Sequence, residues 1–362
     1  MTTALRSLSA DDWAEWRVVR LAALAEAPEA FGSRLADWQD ADEHRWRTRL
    51  SLPGALDLLA LDDGRAVGTA SGVPDPDDPS RVELISMWVA PEARGRGVAR
   101  ELIEAIARWA AEQGAIDLRL AVMPDNDRAR RTYERAGFVA TDDPGDLLPD
   151  GRREAVMRRD LTAERTLDAY ERAADRYAAR TDDHRAGLVD DLLALVPPGA
   201  HVLELGSGPG RDAVALEAAG LRVDRTDGAR SFVDRLRAEG HDARLLDVRS
   251  EHWGGPYDAV FANAVLVHVE RDAVGTVLRR AREAVRPHGV LAATLKLGEG
   301  ARWSTQKLDR ARHFTFWTER DLADVVSGAG WVDIVVRETT RPGAAERWLT
   351  VTARRPQEAG TA

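Results

Sequence analysis

Two glycine-rich segments of opposite electrostatic character stand where chemistry can be done, each between a stretch that reads as a strand and one that reads as a helix. Arg94-Gly95-Arg96-Gly97-Val98-Ala99 sets two guanidinium groups among glycines at a helix start. Unpaired N–H groups and the helix dipole favour a phosphate there. Gly206-Ser207-Gly208-Pro209-Gly210 has no basic residue, has Glu204 just before it, and is followed by Asp227 at the end of the next strand. That set suits a ligand with cationic groups and ribose hydroxyls. A dinucleotide loop would need glycine at 206, 208 and 211, but position 211 is arginine and 209 is proline, which disfavours NAD. Two loops imply two cofactors.

The elements that must position these loops need more than one core. A chain of 362 residues is expected to form about two domains. The net charge of −10 is uneven, −8 over residues 1–161 and −2 over the rest. Neither part has the basic surplus that a nucleic-acid backbone demands, and an acidic first half suits an amine-bearing acceptor. The absence of cysteine excludes disulfides, thiolate nucleophiles and Cys-ligated zinc, and no metal-ligand set is read from the chain. No apolar run reaches the roughly 20 residues of a membrane span, and Met1–Asp12 has no apolar signal core. A cytoplasmic protein is expected. Arginine replaces lysine everywhere except Lys296 and Lys307, which reads as genome bias.

Spacing of Trp13, Trp16, Leu21 and Leu24 predicts a helix over 11–24, and residues 56–61 and 66–71 read as a hairpin turned at Asp62-Asp63-Gly64. A strand over 82–89, the basic loop, a helix over 99–113, a strand over 118–122, a helix over 127–136 and a short strand over 138–140 follow. Residues 142–151 read as a turn-rich loop, and 155–161 as a last strand. After residue 164, helices are predicted over 165–180 and 186–195. Strands at 201–205, 222–226, 243–247, 259–262 and 290–295 follow in alternation with helices, which implies a parallel sheet covered on both faces. Residues 332–336 and 348–353 read as a closing hairpin.

Taken as an Arg-x-x-Gly-x-Ala loop, with Asn126, Ala129, Tyr133 and Gly137-Phe138 downstream, residues 82–138 resemble the GNAT superfamily of N-acetyltransferases, and the likeness extends over 1–161. The resemblance implies that Arg94, Gly95, Arg96, Gly97, Val98 and Ala99 hold the pyrophosphate of acetyl-CoA. It makes Met87, Val89 and Asn126 further cofactor contacts, Tyr133 the acid for the departing thiolate and Glu83 the base, directly or through water. Phe31-Gly32-Ser33 falls where that family builds its acceptor wall. The tryptophans at 13, 16, 38 and 46 read as helix packing rather than an acceptor cage.

Val202 to Gly210 resembles the first motif of class I S-adenosylmethionine-dependent methyltransferases, with the likeness covering about 165–355. It implies that Glu204, Gly206, Ser207, Gly208 and Gly210 carry S-adenosyl-L-methionine, that Asp227 receives its ribose, and that Asp247 and Val248 lie by its adenine. Tyr177 and Asn263 join the cofactor set, and His268 is the candidate catalytic residue. Tyr170 reads as a partner of Tyr177, with packing an equal alternative. Lys296, Trp303, Arg312, His313 and Trp317 form a cationic, aromatic stretch able to cover an anionic or planar acceptor, or to fold as a surface loop. The Asn/Asp-Pro-Pro-Tyr/Phe motif of amino-methylating nucleic-acid enzymes is absent after the fourth strand.

The expected fold class is α/β. A GNAT domain over 1–161, with a mixed, largely antiparallel sheet, precedes a Rossmann-like, seven-stranded methyltransferase domain over 162–356, and 357–362 form a disordered tail. The expected function is a bifunctional transferase. It would acetylate a small-molecule or protein amine and methylate a small-molecule or protein acceptor, separate or shared. Two alternatives stand beside it: one catalytic half with a regulatory partner, or a non-enzymatic sensor of both cofactors. No motif names an acceptor or an oligomeric state.

Overall fold

A two-residue turn sets the register of the first sheet. Asp63 and Gly64 both take positive φ, 48° and 79°, as a tight hairpin turn requires. In this computed structural model, which describes residues 3–148, 150–180, 187–249, 252–340 and 346–357, the chain divides into two compact units, Met1–Arg165 and Thr166–Ala362.

The first unit runs β1 (Ala4–Ser7), α1 (Trp13–Glu26), α2 (Glu43–Arg49), β2 (Leu56–Asp62), β3 (Arg65–Pro74), β4 (Arg81–Val89), α3 (Val98–Glu112), β5 (Asp117–Val122), α4 (Asp127–Arg135), β6 (Val139–Leu147) and β7 (Arg153–Asp160). Its sheet has the order β1-β2-β3-β4-β5-β7-β6. All neighbours are antiparallel except β4 and β5. That parallel pair is short: it joins Arg81 to Asp117, Val82 to Leu118 and Glu83 to Arg119, and stops. On the other side of β4, pairing to β3 shifts register between Thr69 and Ser71, where Ser86 takes φ 55°. A bulge of this kind bends the strand, and residues 84–89 run on without pairing to β5.

Trp16, Trp38 and Trp46 pack ring against ring, with centroids 4.7–6.5 Å apart, and Trp16 and Trp46 are fully buried in the core. The turn-rich loop expected over 142–151 is instead strand as far as Leu147. β6 is an edge strand, and its pairing breaks register on either side of Pro144, which is how an edge accommodates proline.

Helix α5 (Thr162–Glu171) crosses the division between the units. Then come α6 (Ala174–Arg180), α7 (Gly187–Leu193), β8 (His201–Leu205), α8 (Arg211–Ala218), β9 (Arg222–Asp227), α9 (Arg230–Ala238), β10 (Ala243–Leu245), β11 (Tyr257–Ala262), α10 (Arg271–Ala284), β12 (Val285–Leu297), β13 (Ala301–Ser304), β14 (Arg312–Trp317), α11 (Glu319–Gly328), β15 (Val332–Thr340) and β16 (Arg347–Arg354). The single helix expected over 165–180 is two, and the start of the helix expected from 186 lies outside the described residues, as does the tail from 358.

Strands β10-β9-β8-β11-β12 are parallel, and β16 and β15 close the sheet antiparallel beyond β12. These seven carry the expected architecture, yet the sheet has nine strands. The extra two are a β13–β14 ribbon whose second strand pairs parallel to the end of β12 at Lys296–Phe316 and Leu297–Trp317. Residues 312–317, rich in aromatic and β-branched side chains, suit a strand better than the loop also considered.

Candidate active sites

Gly97, at φ 90°, caps α3. The first bond into the helix runs from Glu101 N–H to Gly97 C=O at 3.1 Å, so the N–H groups of Val98, Ala99 and Arg100 have no intrahelical acceptor. A Cβ placed on Gly97 would meet nothing within 4 Å. Glycine is therefore required by the backbone angle and not by crowding, and the ground above the loop is open. The side chain of Val98 is core, so this residue and Ala99 can offer a ligand their main chain.

The two guanidinium groups are committed elsewhere. Arg94 donates through Nη2 to Glu26 Oε2 at 2.5 Å and through Nε to the Val89 carbonyl at 2.9 Å, and Arg96 pairs with Asp62 at 2.8 Å. As they stand, the two side chains brace the loop against α1 and β2, and the loop's N–H groups remain for an anion. Asn126 is likewise partly spent, because its Oδ1 caps α4 by accepting from Ala129 N–H at 3.0 Å.

Met87 and Val89 lie on the stretch of β4 beyond its pairing with β5, Met87 half-buried and Val89 buried. Tyr133, on α4, packs edge-on to Phe138 with ring centroids 5.8 Å apart, and desolvation pushes its pKa up to about 12. Such a phenol stays protonated at neutral pH. Glu83 stands at the last position of β4 that pairs with β5, with its side chain reaching solvent. Its pKa is raised, first by desolvation from the surrounding atoms and then by the carboxylates of Asp146, Glu154 and Asp75.

In the second unit, Gly206 takes φ 65°, and a Cβ there would come within 2.4 Å of Val265 Cγ2; both angle and contact exclude other residues. The loop is stitched to β9 by Ser207 N–H to Thr226 C=O and Gly208 N–H to Asp227 Oδ2, both 2.8 Å. Asp227 also accepts from Ala229 N–H at 2.8 Å. It is 8% exposed, and burial, resisted by the Ala229 and Gly208 N–H groups, raises its pKa to about 6. Glu204, 2% exposed, accepts the Ser207 hydroxyl. Burial raises it to about 8, the Ser207 hydroxyl and Arg225 lowering and Asp212 and Asp227 adding to it. Gly210 caps α8 at φ 82°.

A cavity of about 500 Å³ opens beside the loop. Gly206, Ser207, Gly208, Tyr177, Asn263 and His268 line it, whereas Asp227, Asp247 and Val248 do not. Asp227 is instead turned into the loop it braces. Asp247 is gripped by Arg249, Nη2 to Oδ2 at 2.7 Å; burial would raise its pKa, and Arg249 outweighs that and lowers it. Val248 packs on the core. Asn263 bridges Asp212, at 2.7 Å from its Nδ2, and the Thr294 hydroxyl, at 2.8 Å from its Oδ1.

His268 lines the cavity with both ring nitrogens occupied. Nδ1 lies 2.7 Å from the His313 carbonyl and Nε2 2.8 Å from the Tyr170 hydroxyl. A carbonyl only accepts, so Nδ1 carries the proton. Burial holds the ring neutral, its pKa lowered to about 3, which leaves Nε2 to accept from Tyr170. Arg312 Nη1 donates to the same phenol oxygen at 3.1 Å. The chain Arg312–Tyr170–His268–His313 is thus directional, with His268 behind Tyr170 in it. Asp212, Thr294, Glu346 and Trp348 also line this cavity and carried no motif in the sequence.

Comparison with known proteins separates the two units. The model of the acetyltransferase (GNAT) family matches residues 16–138, and that of a methyltransferase domain matches 172–336. An uncharacterised N-acetyltransferase of Mycobacterium bovis is 33% identical over 117 residues, 32% of this chain and 74% of that protein. An aminoglycoside N(6')-acetyltransferase type 1 of Salmonella typhimurium is 31% identical over 91 residues, 24% of this chain and 63% of that protein. Among solved structures, the 1,6-didemethyltoxoflavin-N1-methyltransferase of Burkholderia thailandensis is 25% identical, covering 53% of this chain and 84% of that one at a TM-score of 0.41.

Proposed function

The chain belongs to the GNAT acetyltransferases through its N-terminal domain and carries a methyltransferase domain behind it, and from that premise we propose that one polypeptide performs both transfers. The first acetylates an amine from acetyl-CoA, and the second methylates a small-molecule or protein acceptor from S-adenosyl-L-methionine. The observation that carries the reading is the pair of glycine-capped helix starts, one presenting free N–H groups to open space and the other framed by Glu204 and Asp227 beside a cavity.

The residues fit both groups. The pyrophosphate of acetyl-CoA would be held by the N–H groups at 98–100, with Met87 and Val89, on the stretch of β4 unpaired on its β5 side, as further contacts. Bound there, acetyl-CoA supplies an acyl group already activated as a thioester. Glu83, with a raised pKa, takes the proton of the incoming amine, directly or through water. Asp146, Glu154 and Asp75 around it favour a cationic acceptor. Tyr133 holds the proton that a departing thiolate needs.

In the second domain, Gly206–Gly210, Tyr177, Asp212 and Asn263 would hold S-adenosyl-L-methionine, which supplies a methyl group on a sulfonium. The protein's part is to position an acceptor in line and to exclude water. The test is incubation of the full chain with each cofactor and a panel of amines and small acceptors, read by mass. Acetylated and methylated products are expected. Cofactor binding without turnover in either domain would overturn the reading and leave a sensor.

A further inference from the structure

Of the 51 Lys and Arg residues only two are lysine, Lys296 and Lys307, and both line the cavity of the second domain. A bias that replaces lysine with arginine everywhere else predicts arginine here too. The two differ chemically: lysine is a compact point charge with three donors, whereas arginine is a broad planar fork. Retention of both at one cavity points to a guest that needs a small cation.

Among the described residues, the wall they share is short of negative charge. Lys296 is 8% exposed. Its Nζ lies 2.8 Å from Glu346 Oε1, 4.0 Å from the Phe314 ring centre and 5.4 Å from that of Trp348. The charged groups facing it are Glu346, Lys307 and Arg312, and Glu346 in turn faces the same three cations. One carboxylate thus answers three positive charges. Nor, among the described residues, does the wall hold a ready base: His268 is neutral with both nitrogens engaged, Glu346 is paired with Lys296, and Asp212 is bonded by Asn263.

We infer that the methyl acceptor enters as an anion, a planar molecule whose acidic N–H or O–H has already ionised, with its negative atom toward Lys296, Lys307 and Arg312 and its ring among Phe314, Trp348 and Tyr170. This rests on the methyltransferase reading. A lone pair of the anion forms the bond to the methyl carbon, and the pair of the breaking C–S bond stays on sulfur. Anion and sulfonium become two neutral molecules, so no proton has to be removed, which is why the wall needs cations and no free base. The methylated product loses the charge that held it. Amines, which carry the wrong sign, are excluded.

The test uses the full chain and 4-nitrophenol, whose phenolate absorbs visible light while the phenol does not, with lumazine and 2-naphthoate as further planar acids. The methylated, neutral 4-nitroanisole and the cationic 4-nitrobenzylamine are the controls. Binding is measured with and without S-adenosylhomocysteine. The anions are expected to bind at least about tenfold more tightly than the controls, and the bound 4-nitrophenol to ionise at lower pH than the free one. Lys296→Met should abolish both effects while leaving 4-nitroanisole affinity within about twofold. Lys307→Met, at an exposed position, should weaken them too, with folding checked by circular dichroism. Equal binding of anions and controls, failure of every anion to bind, or lysine variants that behave as the parent would overturn the inference. Calorimetry with S-adenosylhomocysteine separates the two readings: its failure to bind sinks the methyltransferase assignment, and its binding without anion preference sinks the acceptor assignment alone.

Discussion

Glu204 makes the stability of the second domain depend on pH in a window where few carboxylates titrate. It is buried at the end of β8, and desolvation, resisted by the Ser207 hydroxyl and Arg225 and aided by Asp212 and Asp227, raises its pKa from 4.5 to about 8. Between those values the folded chain keeps a proton that the unfolded chain has released. Stability from this group is therefore fully present below 4.5 and falls as pH rises toward 8. One unit of pKa difference corresponds to about 1.36 kcal/mol, and integration from pH 6 to 8 gives a loss of about 2 kcal/mol. Asp227, raised from 3.8 to about 6, has the same sign at lower pH and His268, lowered from 6.5 to about 3, the opposite sign near pH 6.5, so Glu204 is isolated by comparing the parent with a variant that lacks its titration.

The assay is urea unfolding of the full chain at several pH values between 6 and 8.5, with the second domain's transition identified by its response to S-adenosylhomocysteine. Glu204→Gln keeps an acceptor for the Ser207 hydroxyl and removes the titration. Relative to the variant, the parent should lose about 2 kcal/mol between pH 6 and 8. An equal fall in both proteins would refute the argument, since the proton would then belong to another group.

Four further outcomes follow from the sites. Gly97→Glu forces a side chain onto φ 90° and a negative charge before the free N–H groups, so coenzyme A binding should disappear; unchanged affinity in a folded variant would remove the loop from the cofactor site. Tyr133→Phe should lower acetyl transfer roughly 10²-fold with coenzyme A affinity retained, and a turnover within about twofold of the parent would mean that another group protonates the thiolate. Glu83→Gln should abolish the acidic limb of kcat/KM, a limb expected above the ordinary glutamate range because the Glu83 pKa is raised; survival of that limb would assign it elsewhere. Asp227→Ala removes the acceptor of the Gly208 N–H and with it the brace of the loop, so S-adenosylhomocysteine should bind at least about tenfold more weakly with NAD as the control titrant, and indifference to the change would show that the loop does not depend on this brace.

The glycine loops were legible because their signal is local. Gly97 and Gly206 are specified by backbone angles at the residue itself, and the helices they open were marked by the apolar spacing that follows. The hairpin at Asp63-Gly64 was legible for the same reason. β6 and the β13–β14 ribbon were not. An edge strand interrupted by Pro144 and a four-residue strand opposite residues 312–317 depend on neighbours for their pairing, and strand preference is set by those neighbours more than by the segment.

Side-chain roles fell on the far side of that line. Arg94 and Arg96 were legible as charges among glycines, but their carboxylate partners, Glu26 and Asp62, lie 68 and 34 positions away and belong to elements whose placement no local motif specifies. Those partners decide whether a guanidinium meets a phosphate or braces a loop. His268 shows the same dependence: the imidazole is plain in the sequence, while the Tyr170 hydroxyl and His313 carbonyl that occupy it arrive from α5 and β14. The two lysines invert the relation. Their rarity is visible only across the whole sequence, and their common address only in the folded chain, where one cavity collects both. A composition that looks like bias from the sequence becomes chemistry once the two exceptions are found facing the same Glu346.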